Sequence, residues 1–198
     1  MKLSVITDEI SHDLERACRI AREFGAQGVE LRGVWNTNCS QLTNGQVREV
    51  KRIIRDQGMV VCSLASPFGK CHLEDSAEVA SHMEILRWCC DIALELECPI
   101  VRGFAFFDPQ KTPEKPWSRM LKAYEPVPAI LGEKGLILGL ENEASCYVGT
   151  APHTRLFLDK LGSPRIKAVW DPANHVRDKG ARDLPCFPEG YELVKKDI

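Results

Sequence analysis

Short apolar runs alternate with longer amphipathic segments along the whole chain. The runs are brief, nearly continuous and rich in Val, Ile and Leu, which predicts strands. They cover residues 3–7, 28–31, 59–65, 99–106, 136–140 and 166–170. Strands that are apolar on both faces are typical of parallel sheets covered by helices. The pattern therefore predicts six parallel strands.

The segments between these runs carry helix signals. Thr43 begins a capping box for one helix, and Ser11 is expected to cap the first helix. Thr112 and Pro113 are expected to start the helix between the fourth and fifth strands, and a last helix is expected to begin near Pro188. The result is six successive βα units.

Repeated βα units leave two architectures, an open doubly wound sheet or a closed barrel. No Gly-x-Gly-x-x-Gly follows the first strand, so the dinucleotide-binding form of the open sheet loses its main support. We predict an α/β chain of the (β/α)₈ barrel type, in a single domain over residues 1–198.

Composition narrows the class of protein. The chain is 44% hydrophobic and 27% charged with a net charge of -2, which gives no attraction to nucleic acid or to an anionic membrane. Nine cysteines, an odd number without a Cys-x-x-Cys pair, favour reduced thiols that pack as small apolar side chains. No apolar stretch approaches the length of a membrane span, and no signal peptide is visible. We expect a soluble, cytoplasmic protein.

Charged and polar side chains recur where the predicted strands end, which is where a parallel α/β barrel gathers its chemistry. The candidates are Glu30, Arg32, Lys70, Arg102, Glu141, Glu143, Asp171 and Asn174. Period-two alternation places Glu141 and Glu143 on one face of the fifth strand, beside Asp171 from the sixth. Crowded carboxylates need a cation, a shared proton or an arginine partner. A divalent metal is the most economical answer, with Arg32, Lys70 and Arg102 left to hold an anionic or polyhydroxyl substrate.

The competing interpretation is that these side chains are merely solvated, because βα loops are polar in general. For Glu30 alone the two interpretations are equally good. For Glu141 and Asp171 together a functional role is favoured, because both directly follow apolar strands. His175 lies near the predicted strand ends and is a further candidate.

Five segments at successive strand ends carry a resemblance. They are Gly28-Val-Glu-Leu-Arg32, Ser66-Pro-Phe-Gly-Lys70, Val101-Arg-Gly-Phe104, Leu140-Glu-Asn-Glu143 and Val169-Trp-Asp-Pro-Ala-Asn174. In this order they resemble the xylose-isomerase-like TIM-barrel superfamily and, within it, the sugar phosphate isomerase/epimerase branch. The resemblance covers essentially the whole chain.

The resemblance implies one divalent metal, with Mn²⁺ favoured over Mg²⁺, Co²⁺ or Zn²⁺, held by a Glu, an Asp, a His and a second Glu. Glu141 matches the first ligand, which in the family often doubles as catalytic acid/base, and Asp171 matches the second. Asn174 falls where the family places a substrate contact, as do Glu30, Arg32 and Arg102.

The chain departs from the family at its end. In relatives, a seventh and an eighth strand carry the last two metal ligands, and this sequence ends where the seventh strand should start. We therefore expect a barrel truncated after about six βα units, weak or inactive in isolation. Unclosed edges would favour association of copies of the chain, which is a hypothesis.

The expected activity is isomerisation or epimerisation of a sugar or sugar phosphate, with a divalent metal and a carboxylate moving a proton next to the carbonyl. Two alternatives stay open: a polyol dehydratase or lyase of the same superfamily, and a non-catalytic remnant that binds sugar or metal. The superfamily's DNA-repair endonucleases need many histidines and a basic face, which five scattered histidines and the net charge of -2 do not provide.

Overall fold

A computed structural model describes residues 2–110, 114–178, 180 and 183–198. Its strands are β1 Ser4–Ile6, β2 Gly28–Leu31, β3 Gly33–Val34, β4 Thr37–Asn38, β5 Val60–Leu64, β6 Ile100–Gly103, β7 Ile137–Glu141 and β8 Ile166–Val169. Six of them form one parallel sheet in the order β1-β2-β5-β6-β7-β8, while β3 and β4 form a separate antiparallel hairpin. The predicted α/β class and the six successive strands are confirmed.

The helices follow the strands as predicted. They are α1 Leu14–Glu23, α2 Asn44–Asp56, α3 Ser76–Glu95, α4 Trp117–Tyr124, α5 Val127–Lys134, α6 Ala151–Leu161, α7 Pro172–Arg177 and α8 Tyr191–Val194. The capping box of α2 is confirmed, since Thr43 accepts from the Gln46 amide and Gln46 accepts from the Thr43 amide. Within the described residues, every helix is too short or too polar to cross a bilayer.

Two helix starts differ from the predictions. Asp13 rather than Ser11 caps α1, because its carboxylate accepts from the Arg16 amide while the Ser11 hydroxyl accepts from Asp13 itself. The last helix begins at Tyr191, after a π-helical turn over Cys186–Gly190, rather than near Pro188. The start predicted at residues 112–113 lies outside the described residues.

The chain divides into two compact units. The first comprises Met1–Ser66 and Ile85–Val101, and the second comprises Pro67–Glu84 and Arg102–Ile198. The single-domain interpretation of residues 1–198 stays a prediction.

The first unit has a core of apolar side chains from β2, β5 and the inner faces of α1 and α2. Leu14, Val29, Val50 and Leu64 are fully buried in it. Its strands are held in parallel register, with Val29 opposite both Val5 and Val61. Apolar burial of this kind supplies roughly 25 cal/mol per Å² of the stabilisation.

The second unit contains β7 and β8, whose register places Glu141 opposite Val169. Its fully buried side chains include several aromatic rings, among them Phe104, Phe106, Tyr124 and Phe157. The Tyr124 hydroxyl donates to the Phe104 carbonyl. This hydrogen bond connects these aromatic side chains to the segment that follows β6. Arg102, Glu141 and Asp171 belong to this unit and lie at or just beyond the carboxyl ends of β6, β7 and β8.

The cysteines are free thiols, seven of them buried and two half-buried. Burial raises the pKa of the Cys18 thiol to about 11 and that of Cys71 to about 12. Both sulfurs therefore stay protonated at neutral pH and pack as small apolar groups, as the sequence predicts.

Candidate active site

A buried ion pair lies at the end of β7. Arg102 in β6 places Nη1 3.0 Å from Oε2 of Glu141, the last residue of β7. Each residue is only 9% exposed. Burial raises the pKa of Glu141, the positive charge of Arg102 opposes this, and the negative charge of Asp171 adds to it, leaving the pKa above its ordinary value. Glu141 is thus a carboxylate whose proton affinity is increased by its surroundings.

A second ion pair lies beside the first. Lys70 Nζ is 2.6 Å from Glu143 Oε2, in a less buried position. Although burial alone would raise the pKa of Glu143, the hydrogen bond and the charge of Lys70 lower it below its ordinary value. Neighbouring carboxylates thus have opposite tendencies, since Glu141 holds a proton more readily and Glu143 less readily.

A glycine positions Lys70. Gly69 has a φ of +82°, and a Cβ at this residue would lie 1.9 Å from the Phe104 carbonyl oxygen. The close approach allows two backbone hydrogen bonds of 2.8 Å, from Phe104 N to Phe68 O and from Phe106 N to Gly69 O. These bonds also explain why β6 ends at Gly103 and not at residue 106 as predicted, because the chain beyond Gly103 pairs with this loop.

The aromatic ring of Phe104 connects the two cations. Lys70 Nζ lies 4.3 Å and the Arg102 guanidinium carbon 4.9 Å from the ring centroid. Cations at these distances from a ring face are stabilised by its quadrupole. Phe104 therefore holds both positive charges on the same side of the second unit.

Asp171 follows β8 and serves as the N-cap of α7. Its Oδ1 accepts from the Asn174 amide at 2.9 Å, and its Oδ2 accepts from the Asn174 side-chain amide at 3.0 Å. Asn174, predicted to contact substrate, is 6% exposed and orients this carboxylate. Its contact with substrate stays a prediction.

Asn142 is the site residue that the sequence analysis missed. It is fully buried, and its side chain bonds both to the backbone of Asp171 and to the carbonyl of Gly149. A strand-end Asn directly after Glu141 was the available signal, but its partner lies 29 residues away.

Glu30 and Arg32 lie in the first unit, each with a local partner. Ser4 Oγ donates to Glu30 at 3.0 Å. Arg32 donates through Nε to both oxygens of Asp8, at 3.0 and 3.3 Å, and through Nη1 to Glu9 at 3.3 Å. Arg32 therefore has two carboxylate partners, and its role toward a substrate stays a prediction.

The further candidate His175 is a buried structural residue. Its Nδ1 accepts from the Ala151 amide at 3.0 Å, so Nε2 carries the hydrogen and donates to the Leu184 carbonyl at 2.8 Å. Both ring nitrogens are therefore used to join the start of α6 to the segment after α7.

Comparison with known proteins identifies the family of the chain. A family model described as xylose isomerase-like TIM barrel matches residues 18–195. The chain belongs to this family. A search of curated proteins gave no match.

Solved structures with the same fold include proteins of several activities. A xylose isomerase-like TIM barrel protein from Mycobacterium smegmatis in complex with magnesium has a TM-score of 0.76 at 15% identity, covering 100% of this chain and 72% of that one. The 3-keto-D-glucoside 4-epimerase YcjR from E. coli has a TM-score of 0.76 at 12% identity, covering 100% of this chain and 77% of that one. The probable 3-DHS dehydratase AsbF from Bacillus anthracis has a TM-score of 0.71 at 18% identity, covering 100% of this chain and 71% of that one. At these identities the likeness shows the fold.

The charges of the candidate site show whether it could accommodate a divalent cation. Lys70 and Arg102 bring two positive charges, and Glu141, Glu143 and Asp171 bring three negative ones, of which those of Glu143 and Asp171 act on Glu141. The cluster is therefore one negative charge in excess when all five groups are ionised. Carboxylate oxygens are the ligands that Mg²⁺ and related hard cations prefer, and Mg²⁺ often takes only one or two from protein. The donor chemistry of Glu141 and Asp171 is of this kind, and their role as metal ligands stays a prediction.

A complete ligand set is not assembled by the part of the chain that the structure describes. There, no group of three or more His, Cys, Asp or Glu side chains is arranged to hold a metal ion. A divalent cation here would need further oxygens from water or from a substrate.

Proposed function

We propose that this chain provides the proton-transfer half of a metal-dependent sugar isomerase or epimerase. The observation that carries the proposal is the buried Glu141, with its raised pKa, paired with Arg102 at the end of β7 and acting electrostatically on Asp171 at the end of β8. A carboxyl group whose pKa is raised above its ordinary value holds a proton more readily, and such a group can serve as an acid and a base in turn.

Each residue has a proposed role. Glu141 removes the proton next to the sugar carbonyl, and Arg102 holds the carboxylate in place through its Oε2. Asp171, oriented by Asn174, supplies a metal-binding oxygen. When bound, a divalent cation, with Mn²⁺ favoured over Mg²⁺, Co²⁺ or Zn²⁺, would polarise the sugar oxygens and stabilise negative charge on them.

Substrate contacts are assigned to the polar side chains around this carboxylate. Lys70 and Arg102 would donate to hydroxyl or phosphate oxygens, and Glu143 and Asn174 would bind hydroxyl groups. The resemblance to the family also implies substrate contacts for Glu30 and Arg32 of the first unit, and these stay predictions. Sugar epimerases such as YcjR and a D-psicose 3-epimerase share the fold, which supports a sugar as the substrate class.

Two alternatives have specific support. A polyol dehydratase or lyase is supported by the fold shared with the probable dehydratase AsbF. A non-catalytic protein that binds sugar or metal is supported by the incomplete ligand set among the described residues. Cytoplasmic location and association of copies through open sheet edges stay predictions.

Metal binding provides the first test. We expect calorimetric titration with Mn²⁺ to give one site per chain, and Glu141→Gln to abolish it. Glu133→Gln, which changes an exposed glutamate of α5, is the matched control and should bind as the unaltered chain does. No binding by the unaltered chain, or undiminished binding by Glu141→Gln, would refute the proposed metal site.

The reaction is tested by hydrogen exchange. Ketoses and aldoses, with and without phosphate, are incubated with the Mn²⁺-loaded chain in D₂O, and deuterium at the carbon next to the carbonyl is measured by NMR. We expect slow incorporation that depends on Glu141 and not on Glu133. Metal binding without exchange of any sugar would favour the non-catalytic alternative.

A further inference from the structure

The side chain of Asn142 joins the ends of two strands. Its Oδ1 accepts from the Asp171 amide at 2.8 Å, and its Nδ2 donates to the Asp171 carbonyl at 2.7 Å. Nδ2 also donates to the Gly149 carbonyl, at 3.4 Å. The side-chain amide of Asn142 thus pairs with both the N–H and the C=O of Asp171. A residue of a neighbouring strand would pair with these backbone groups in a similar way.

This pairing begins where the sheet ends. The β7–β8 ladder stops at Glu141 opposite Val169, two residues before Asp171. Without ladder bonds, the backbone of Asp171 would be held only through its own side chain and α7. Asn142 replaces the missing ladder bonds, and its direct neighbour in the chain is Glu141.

We infer that Asn142 is a positioning residue that fixes the separation of the Glu141 and Asp171 carboxylates and thereby sets the affinity of the site for a divalent cation. The inference rests on the proposed function, because it concerns the two proposed metal ligands. Asn174 orients the carboxylate of Asp171, and Asn142 fixes the backbone that carries it. Partners that orient metal ligands in this way typically change metal affinity about 10- to 100-fold when removed.

Stability and affinity must be separated, because any substitution of a buried, hydrogen-bonded residue lowers stability. Asn142→Ala removes the amide, and Asn142→Leu removes the hydrogen bonds but keeps nearly the same shape. The control is Thr154→Val, since Thr154 is 1% exposed and donates to the carbonyl of Thr150, the residue that precedes α6. It removes a buried hydrogen bond that does not involve Asp171.

The dissociation constant for Mn²⁺ is measured by calorimetry, well below each variant's unfolding temperature. We expect both Asn142 variants to bind Mn²⁺ about 10- to 100-fold more weakly, and Thr154→Val to bind it as the unaltered chain does. If the unaltered chain binds Mn²⁺ and a folded Asn142 variant binds it equally well, the inference is wrong while the proposed function stands. If the unaltered chain binds no Mn²⁺, the proposed function fails and the inference fails with it.

Discussion

Replacing Arg102 by methionine leaves the Glu141 carboxylate buried without its ion-pair partner. Both side chains are 11% exposed, so solvent screens the pair weakly. Breaking a buried pair by removing one partner lowers the free energy of unfolding by about 3–5 kcal/mol. We expect a loss near the lower limit, about 3 kcal/mol at pH 8, because methionine fills much of the volume and the pair lies at a strand end.

The sign of the pH dependence follows from Glu141. Its pKa is already raised above the ordinary value of 4.5, and removal of Arg102 raises it further. A raised folded-state pKa contributes stability that is fully present below pH 4.5 and is lost as the pH rises through the folded-state pKa. The loss in Arg102→Met should therefore be small near pH 4.5 and grow toward pH 8, by about 1.4 kcal/mol for each unit by which the pKa of Glu141 rises.

Urea unfolding at several pH values, followed by circular dichroism, measures this loss. The double variant Arg102→Met/Glu141→Gln should recover most of the stability at pH 8, because neither position of the pair then carries a charge. Two results would refute the idea that Arg102 stabilises the fold by compensating the buried charge of Glu141. One is a loss of stability in Arg102→Met that is equal at pH 5 and pH 8, and the other is a double variant no more stable than Arg102→Met.

Three further predictions concern single residues. Gly69→Ala should lower the unfolding temperature far more than Gly135→Ala, since both have positive φ but only Gly69 lacks room for a Cβ; equal effects in thermal unfolding would contradict the close approach. Burial lowers the pKa of His82, which accepts from the Gly69 amide, so stability should be full above pH 6.5 and fall as the pH drops through the folded-state pKa. His82→Gln should weaken this fall in urea titrations, and an unchanged pH profile would exclude His82 as its source. Ellman's reagent should modify at most Cys62 and Cys186 in the native chain and all nine thiols in urea; rapid native modification of more than two would contradict their burial.

The strands and the capping box were predictable because their signals are local. Residues 136–140 are apolar throughout, a pattern that can be interpreted without knowing any distant partner, and Thr43 finds its partner three residues away. The end of β6 was not predictable, since Phe104 leaves the sheet to bond with Phe68, which is 36 positions earlier in the chain. The same holds for Asn142, whose function depends on a backbone that becomes its neighbour only in the folded sheet.

The β3–β4 hairpin was also missed. Its turn has positive φ at Trp35 and at Asn36, of 49° and 59°. Asparagine is common in that conformation, whereas tryptophan is not, so residue type gave little signal for a tight turn. Among the candidate site residues, the sequence identified the charged groups, but it could not indicate that Arg102 and Lys70 would already be neutralised by carboxylates.

The loop that carries Lys70 offers a practical position for redesign. Its path is set by main-chain bonds on either side of Gly69, and the side chain of residue 70 contributes to neither of them. Residue 69 thus tolerates almost no variation, whereas residue 70 can be exchanged without moving the chain that holds it. A library at position 70, with Gly69 kept constant, would vary the charge and reach presented to a ligand while leaving the scaffold unchanged.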